Sequence, residues 1–353
     1  MLDKTAKQNW HPYRGLPQRA FWKNMARQHP LAIDFLYQKK FSIDADTKIA
    51  SAGSCFAQHV GRALRQSGFN YLDYEPAPSL LPEAERSRFG YGMFSARYGN
   101  VYTARQLRQL FARAFGKFKP VDEFWEAGGR FFDPYRPTIE EGGFSSLDEL
   151  RAMRDHHLKQ VRKLFKDVDL FVFTLGLTET WLNKNDGAAY QICPGTTAGQ
   201  FDPDNHVFEN ASFVSVLRDM ETFIIKFRAV NPDVKMLLTV SPVPLAATAT
   251  PHHVLTATSY SKATLRAVAG YLAEKYECVD YFPSYEIVSS HPFHGFFFER
   301  DLRNVNDKGV DFVMSHFFGE HKLKAAKPRT SIKKVRKSDE DVWCDEKVLE
   351  RYA

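Results

Sequence analysis

Two nucleophilic side chains, Ser54 and Cys55, stand side by side in KIASAGSCFAQHVGRAL (48–64), where the chain changes character. Residues 49–52 are small or β-branched, Gly53 allows a sharp turn, and Phe56, Val60, Ala63 and Leu64 recur with helical spacing. A strand-to-helix turn sets its polar residues at a helix N-terminus, where free N–H groups and the dipole favour an anion. A serine or thiol there gains nucleophilicity, and the same N–H groups can hold an oxyanion. The residues equally allow a plain turn, with Ser54 as helix cap and Cys55 as small apolar filler.

Nucleophilic chemistry needs a base within reach. His291 and His294 lie in SSHPFHGFF, His252 and His253 in TPHHVL, and His59 stands at i+4 from Cys55. Arg105 and Arg136, near irregular segments, are candidates to pair with a substrate carboxylate or phosphate, with surface ion pairing as the alternative. In SYSK (259–262), Ser259 reads as a helix N-cap and Lys262 as a phosphate or carboxylate contact.

The elements that must position these residues alternate strand and helix. DTKIASAG is a strand, SCFAQHVGRALRQSG a helix closed by Gly68, and FNYLDYEP a second strand ending at Pro76. Helices follow at 102–115, and at 146–165 with Ser146 as N-cap and Glu149 completing a capping box. The punctuated stretch 118–146 reads as a small hairpin or lid. A buried strand at 170–175 opens into a loop. Then come a helix at 211–230, a strand in VKMLLTVSPVPL, a helix at 259–276, a strand in CVDYFPSYEI and a closing helix at 306–318. The pattern predicts an α/β fold: a three-layer, doubly wound, mostly parallel, flavodoxin-like sheet with inserted lid or loop segments. Ligands in such sheets bind beyond the carboxyl ends of the strands, so loops 53–56, 176–180, 241–253 and 283–306 should converge.

The 353 residues include 44% hydrophobic residues and 30 Phe, enough for a large core and unlike a disordered chain. No apolar run is long enough to span a membrane and the first residues lack a signal-peptide core, so a cytoplasmic protein is expected. Cys55, Cys193, Cys278 and Cys344 show no CxxC spacing, so no metal site, cofactor or disulfide framework is indicated. The net charge of +6 is modest, and much of the basic excess lies in HKLKAAKPRTSIKKVRK (321–337). A solvated linker is favoured there over a contact with nucleic acid or an acidic membrane. Three parts are expected: a wrapping segment (1–45), one domain (46–320), and a basic linker with a tail that includes a short docking helix (321–353).

GSCFA (53–57), YGNVYTARQL (98–107), TLGLTETW (174–181), SPVPL (241–245), ATSYSKATLRAVAG (257–270) and YFPSYEI (281–287) resemble segments of the GSCFA family. That family is regarded as related to the SGNH or GDSL-like hydrolases, so the resemblance implies an SGNH hydrolase-like domain. It lays Gly53-Ser54-Cys55 on the Gly-Asp-Ser block, with Cys55 at the nucleophile position and Ser54 its alternative. It places Gly99 and Asn100 on the second block and Thr178 at the asparagine of the third, three candidates for an oxyanion hole. Glu179, next in that block, would orient a cationic or hydroxyl group. Asp301 fits the aspartate of Asp-x-x-His, and Asn304 occupies the histidine position. An amide cannot take the proton, so the base would come from His291, His294 or His253.

The resulting expectation is an acyl-ester hydrolase or acyltransferase acting on a small-molecule or saccharide ester. The alternative is a catalytically silent binding or scaffold module on the same fold.

Overall fold

The strands of the central sheet are buried on both faces, as near-continuous apolar runs such as LFVFTL require. The computed structural model describes residues 11–321 and 344–353. In chain order its elements are α1 (Trp22–Met25), β1 (Ile49–Gly53), α2 (Cys55–Gln66), α3 (Ala104–Ala114), β2 (Trp125–Ala127), β3 (Arg130–Phe132), α4 (Leu147–Asp167), β4 (Leu170–Leu175), β5 (Glu179–Asn183), β6 (His206–Asn210), α5 (Phe213–Val230), β7 (Lys235–Val240), α6 (Val254–Lys275), β8 (Val279–Phe282), α7 (Ser284–Ser289) and α8 (Asp307–His321).

The central sheet runs β1-β4-β7-β8, all parallel. Tyr71 adds one parallel bridge to Ile49 of β1. The chain thus moves outward from β1 and returns across it to β4, so the winding reverses between β1 and β4, where an open sheet makes its crevice.

Helices cover both faces. On one, α3, α4, α5 and α6 pack on the sheet around Phe111, Phe165, Phe171, Phe223 and Phe227, whose rings meet edge-on or tilted. Truncating such a buried ring costs about 3–5 kcal/mol. On the other face, α2, α7 and α8 enclose Phe56, Leu64, Phe282 and Phe317, joined by Ile33, Tyr37 and Ile43 from the leading segment. This is the three-layer, doubly wound α/β fold.

Local chemistry departs from expectation in four places. FNYLDYEP makes one bridge rather than a strand: Leu72 N–H donates to Ile49 O, and Tyr74 N–H then turns to Ser95 O. Ser146 caps α4 as expected, but Glu149 accepts from Ser145 rather than from Ser146 N–H, so the capping box is not closed. The closed box belongs to Thr103 and Gln106 at α3. Helix α6 starts five residues before Ser259: His253 caps it, and Ser259 lies inside it, donating back to Leu255 O (2.9 Å). The loop expected after β4 instead carries an antiparallel hairpin, β5 with β6.

The hairpin expected within 118–146 is β2 with β3. Within the segment of the expected docking helix, Asp345–Tyr352 form a 3-10 helix, and its residues before Cys344 lie outside the described residues. Apart from His321, the basic stretch to residue 337 lies outside the described residues. Among the described residues no helix is long and apolar enough to cross a membrane.

Candidate active site

Strand β1 ends on Gly53, where φ is +143° and an added Cβ would lie 2.5 Å from Thr174 O of β4. Only a glycine lets the two strands meet this closely as the chain leaves the sheet. Ser54 is the N-cap of α2, but its hydroxyl makes no capping bond and, although buried, has no hydrogen-bond partner among the described residues. Its Cβ is wedged against Gly176, where an added Cβ would be 2.9 Å away. Cys55 opens the helix and turns into the layer shared with α8.

The loop before α3 crosses the end of β1, with Val101 N–H donating to Gly53 O (2.8 Å). It carries Asn100, which is buried. Gln58 of α2 donates to Asn100 Oδ1 (3.0 Å), which fixes the amide so that its Nδ2 donates to Asp345 Oδ2 (2.7 Å). Gln191 Nε2 (3.1 Å), Tyr102 OH (3.2 Å) and the Thr138 hydroxyl also donate to the Asp345 carboxylate. Gly99, at φ +66°, leaves the room Gln191 needs, since a Cβ there would lie 2.8 Å from its Nε2.

Beside this cradle lies a buried charge cluster. Arg303, from the loop before α8, donates to Glu346 (3.0 Å) and to Cys344 Sγ (3.5 Å). Lys262, on α6 and buried, donates to Gly176 O (2.7 Å). Burial lowers its pKa to about 8, while the fields of Glu346 and Cys55 oppose that. Burial pushes Glu346 up to about 8, with Cys344 reinforcing and Arg303 opposing. Cys55 and Cys344 are free thiols in hydrogen-bonding contact. That contact raises Cys55, with burial adding to it, and lowers Cys344 to about 6, where Arg303 also favours the thiolate. Cys344 is therefore the first of the pair to ionise.

Cys344, Arg303 and Glu346 act on Cys55, and Cys55 in turn acts on Lys262; among the described residues no histidine stands with them. His291 lies exposed against Trp22, and His294 is exposed on a left-handed turn. His253 is occupied as the cap of α6, and His59 packs on Phe56. Asp301 accepts from Arg303 N–H and Asn304 N–H (both 2.9 Å) and from the Asn304 amide, all within its own loop. The residue that this loop sends inward is Arg303. Thr178 is turned away, its hydroxyl on Asn210 (2.7 Å) and its N–H on Ser261 (3.0 Å). Arg105 pairs with Asp219 and Glu209, and Arg136 with Asp133. Both arginines are thus occupied within the chain.

Glu179 borders a cavity of about 240 Å³ over the strand ends, walled by Tyr102, Trp181, Tyr190, Phe208 and Thr248. Burial raises its carboxyl, while Thr248 and Ala249 N–H hold it against that rise. Glu346 and Leu349 form part of the same wall. Among the described residues no group of three acidic, cysteine or histidine side chains is placed to hold a metal.

A model of the GSCFA family matches residues 48–317, which take in the turn, the cradle donors, Lys262 and Arg303. The chain belongs to the GSCFA family. No curated protein matches it. An acetyl esterase mutant solved with an acetate ion is similar at 11% identity and a TM-score of 0.33, over 78% of this chain and 95% of that one. An acetyl xylan esterase from the rumen bacterium Butyrivibrio proteoclasticus is similar at 12% identity and a TM-score of 0.24, over 68% of this chain and 56% of that one. Neither likeness bears on the chemistry of individual residues. The family match ends before Cys344, Asp345 and Glu346.

Sequence reasoning passed over Arg303, Gln191, Tyr102 and Thr138, and also residues 344–346. Arg303 had a signal, being adjacent to Asn304 in the loop already singled out. Gln191 and Thr138 had none, since only the fold brings their segments to Asn100.

Proposed function

We propose that this GSCFA protein is an acyl-ester hydrolase or acyltransferase that uses Cys55 as nucleophile and Lys262 as base. The observation that carries the reading is the convergence of Cys55, at the start of α2, with a buried lysine lowered to about 8 and an amide aimed at a carboxylate. The neutral amine of Lys262 takes the thiol proton, and the thiolate attacks the acyl carbon. Asn100 Nδ2 and the N–H groups opening α2 hold the resulting oxyanion. Collapse expels the alkoxide, which takes the proton from Lys262, and leaves a thioester. Water, or a second hydroxyl in a transferase, then attacks the thioester with Lys262 again as base. The aromatic faces, hydroxyls and Glu179 of the neighbouring cavity suit a polar ring, which favours an acylated saccharide.

A panel of p-nitrophenyl and acyl-sugar esters tests this reading. In Asp345→Lys, which takes the carboxylate off the Asn100 amide, turnover should appear with short acyl chains, and adding Cys55→Ala should abolish it. Activity retained in Cys55→Ala would remove Cys55 as nucleophile. No turnover of any ester, with the cleft open, would favour the binding-module reading.

A further inference from the structure

Three consecutive residues that lie outside the family match fill the crevice over Cys55. Cys344, Asp345 and Glu346 are all buried, and Lys347, the next residue, is exposed. Each of the three meets its own partners. Asp345 receives Asn100, Gln191, Tyr102 and Thr138, and its own N–H donates to Tyr102 Oη (3.1 Å). Glu346 is held by Arg303 at 3.0 Å. Cys344 lies between Arg303 and Cys55.

The donors come from separate parts of the chain: the loop before α3, the loop after β3 and the segment within the β5–β6 hairpin. Surface contacts between long side chains contribute little. A buried carboxylate given four neutral donors is a built site, because each amide or hydroxyl would otherwise need another partner.

We propose that the cleft over Cys55 is a receptor for a carboxylate-bearing peptide, and that its resident ligand is the chain's own Cys344-Asp345-Glu346 segment. The segment sits where an acyl group would have to lie: its carboxylate takes the Asn100 amide, and Cys344 covers the Cys55 thiol. It is an intramolecular plug that must leave before an ester can reach Cys55. This rests on the reading of Cys55 as nucleophile, but its test does not use turnover.

The test measures alkylation of Cys55 by iodoacetamide in the folded full-length chain, read by peptide mass spectrometry. Asp345→Lys sets a cation against the amide and hydroxyl donors, and Gln191→Glu sets a like charge beside Asp345 from the domain side. Each should raise the alkylation rate of Cys55 by about tenfold or more, since losing about 1.4 kcal/mol of docking gives a factor of ten. A synthetic peptide of residues 344–353 carrying Cys344→Ser should bind the Asp345→Lys chain and slow alkylation again. The same peptide with Asp345→Asn should bind at least tenfold more weakly. Unchanged Cys55 reactivity in whichever variant folds, with no binding of the peptide, would overturn the plug. Exposure of Cys55 and peptide binding without turnover of any ester would uphold the plug and remove the catalytic reading.

Discussion

Two regions bury several charges each, and they differ in where those charges titrate. Around Asp133 stand Arg136 (3.0 Å), Arg154 (3.3 Å) and Arg113 (4.0 Å), and nearby Glu75 meets His157 at 2.6 Å. Burial works against ionised Asp133, but the three guanidiniums outweigh it and hold the carboxyl well below its usual range. Glu75 falls to about 2, where His157 and Arg136 overcome burial, and burial lowers His157 to about 4. None of these groups changes charge near neutral pH. Around Cys55 the balance is looser: Lys262 and Glu346 both come to about 8, and Cys344 to about 6. Buried charge alone does not mark a functional site. Charge poised near neutrality at the carboxyl ends of a sheet is what the proposed chemistry needs, since there a proton must move at working pH.

The comparison can be broken from its structural side first. Asp133→Ala strands three arginines and should cost about 3–5 kcal/mol in urea unfolding. A loss of under about 1 kcal/mol would mean that this network holds nothing together. Acid should act on the same region. His157 is depressed below its ordinary value, so its contribution is present above about pH 6.5 and lost as pH falls through about 4. Glu75 likewise contributes above about 4.5 and loses that as pH falls through about 2. Melting temperature followed from pH 7 to pH 3 should drop, and much less so in His157→Gln than in the wild type.

On the other side, Lys262→Met should leave melting nearly unchanged, because it removes a desolvated ammonium. In the Asp345→Lys background it should lower ester turnover by about a hundredfold or more. Without it, turnover should rise with pH towards a plateau above about 8, where the amine is neutral. A flat profile would remove Lys262 as base. The smallest effect is spectroscopic. Ultraviolet thiolate absorbance should gain one cysteine's worth as pH rises through about 6, from Cys344. Arg303→Met should move that step upward, and Cys344→Ser should abolish it.

Much of this was legible locally. The Gly53 turn, the apolar runs of β4 and β7 and the cap at Ser146 follow from short-range chemistry. The β5–β6 hairpin did not, because the long segment between its strands hides the pairing. Arg136 looked like a substrate contact because an arginine in an irregular stretch reads the same whether its partner is a ligand or Asp133. The Asp-x-x-His spacing drew attention to Asn304, yet Leu302 adopts a left-handed backbone (φ +54°) and the next residue, Arg303, turns inward. Residues 344–346 carried no signal, since their partners, from Cys55 and Asn100 to Arg303, lie 41 or more residues away in sequence and only folding brings them together.

The most direct test is acyl trapping in the Asp345→Lys chain: brief exposure to p-nitrophenyl acetate, acid quench, and peptide mass spectrometry across residues 48–64. The account predicts an acetyl group on Cys55 that hydroxylamine removes, that forms far more slowly in Lys262→Met, and that is unaffected by Ser54→Ala. An acetyl on Ser54, or none on this peptide while p-nitrophenol is released, would contradict it.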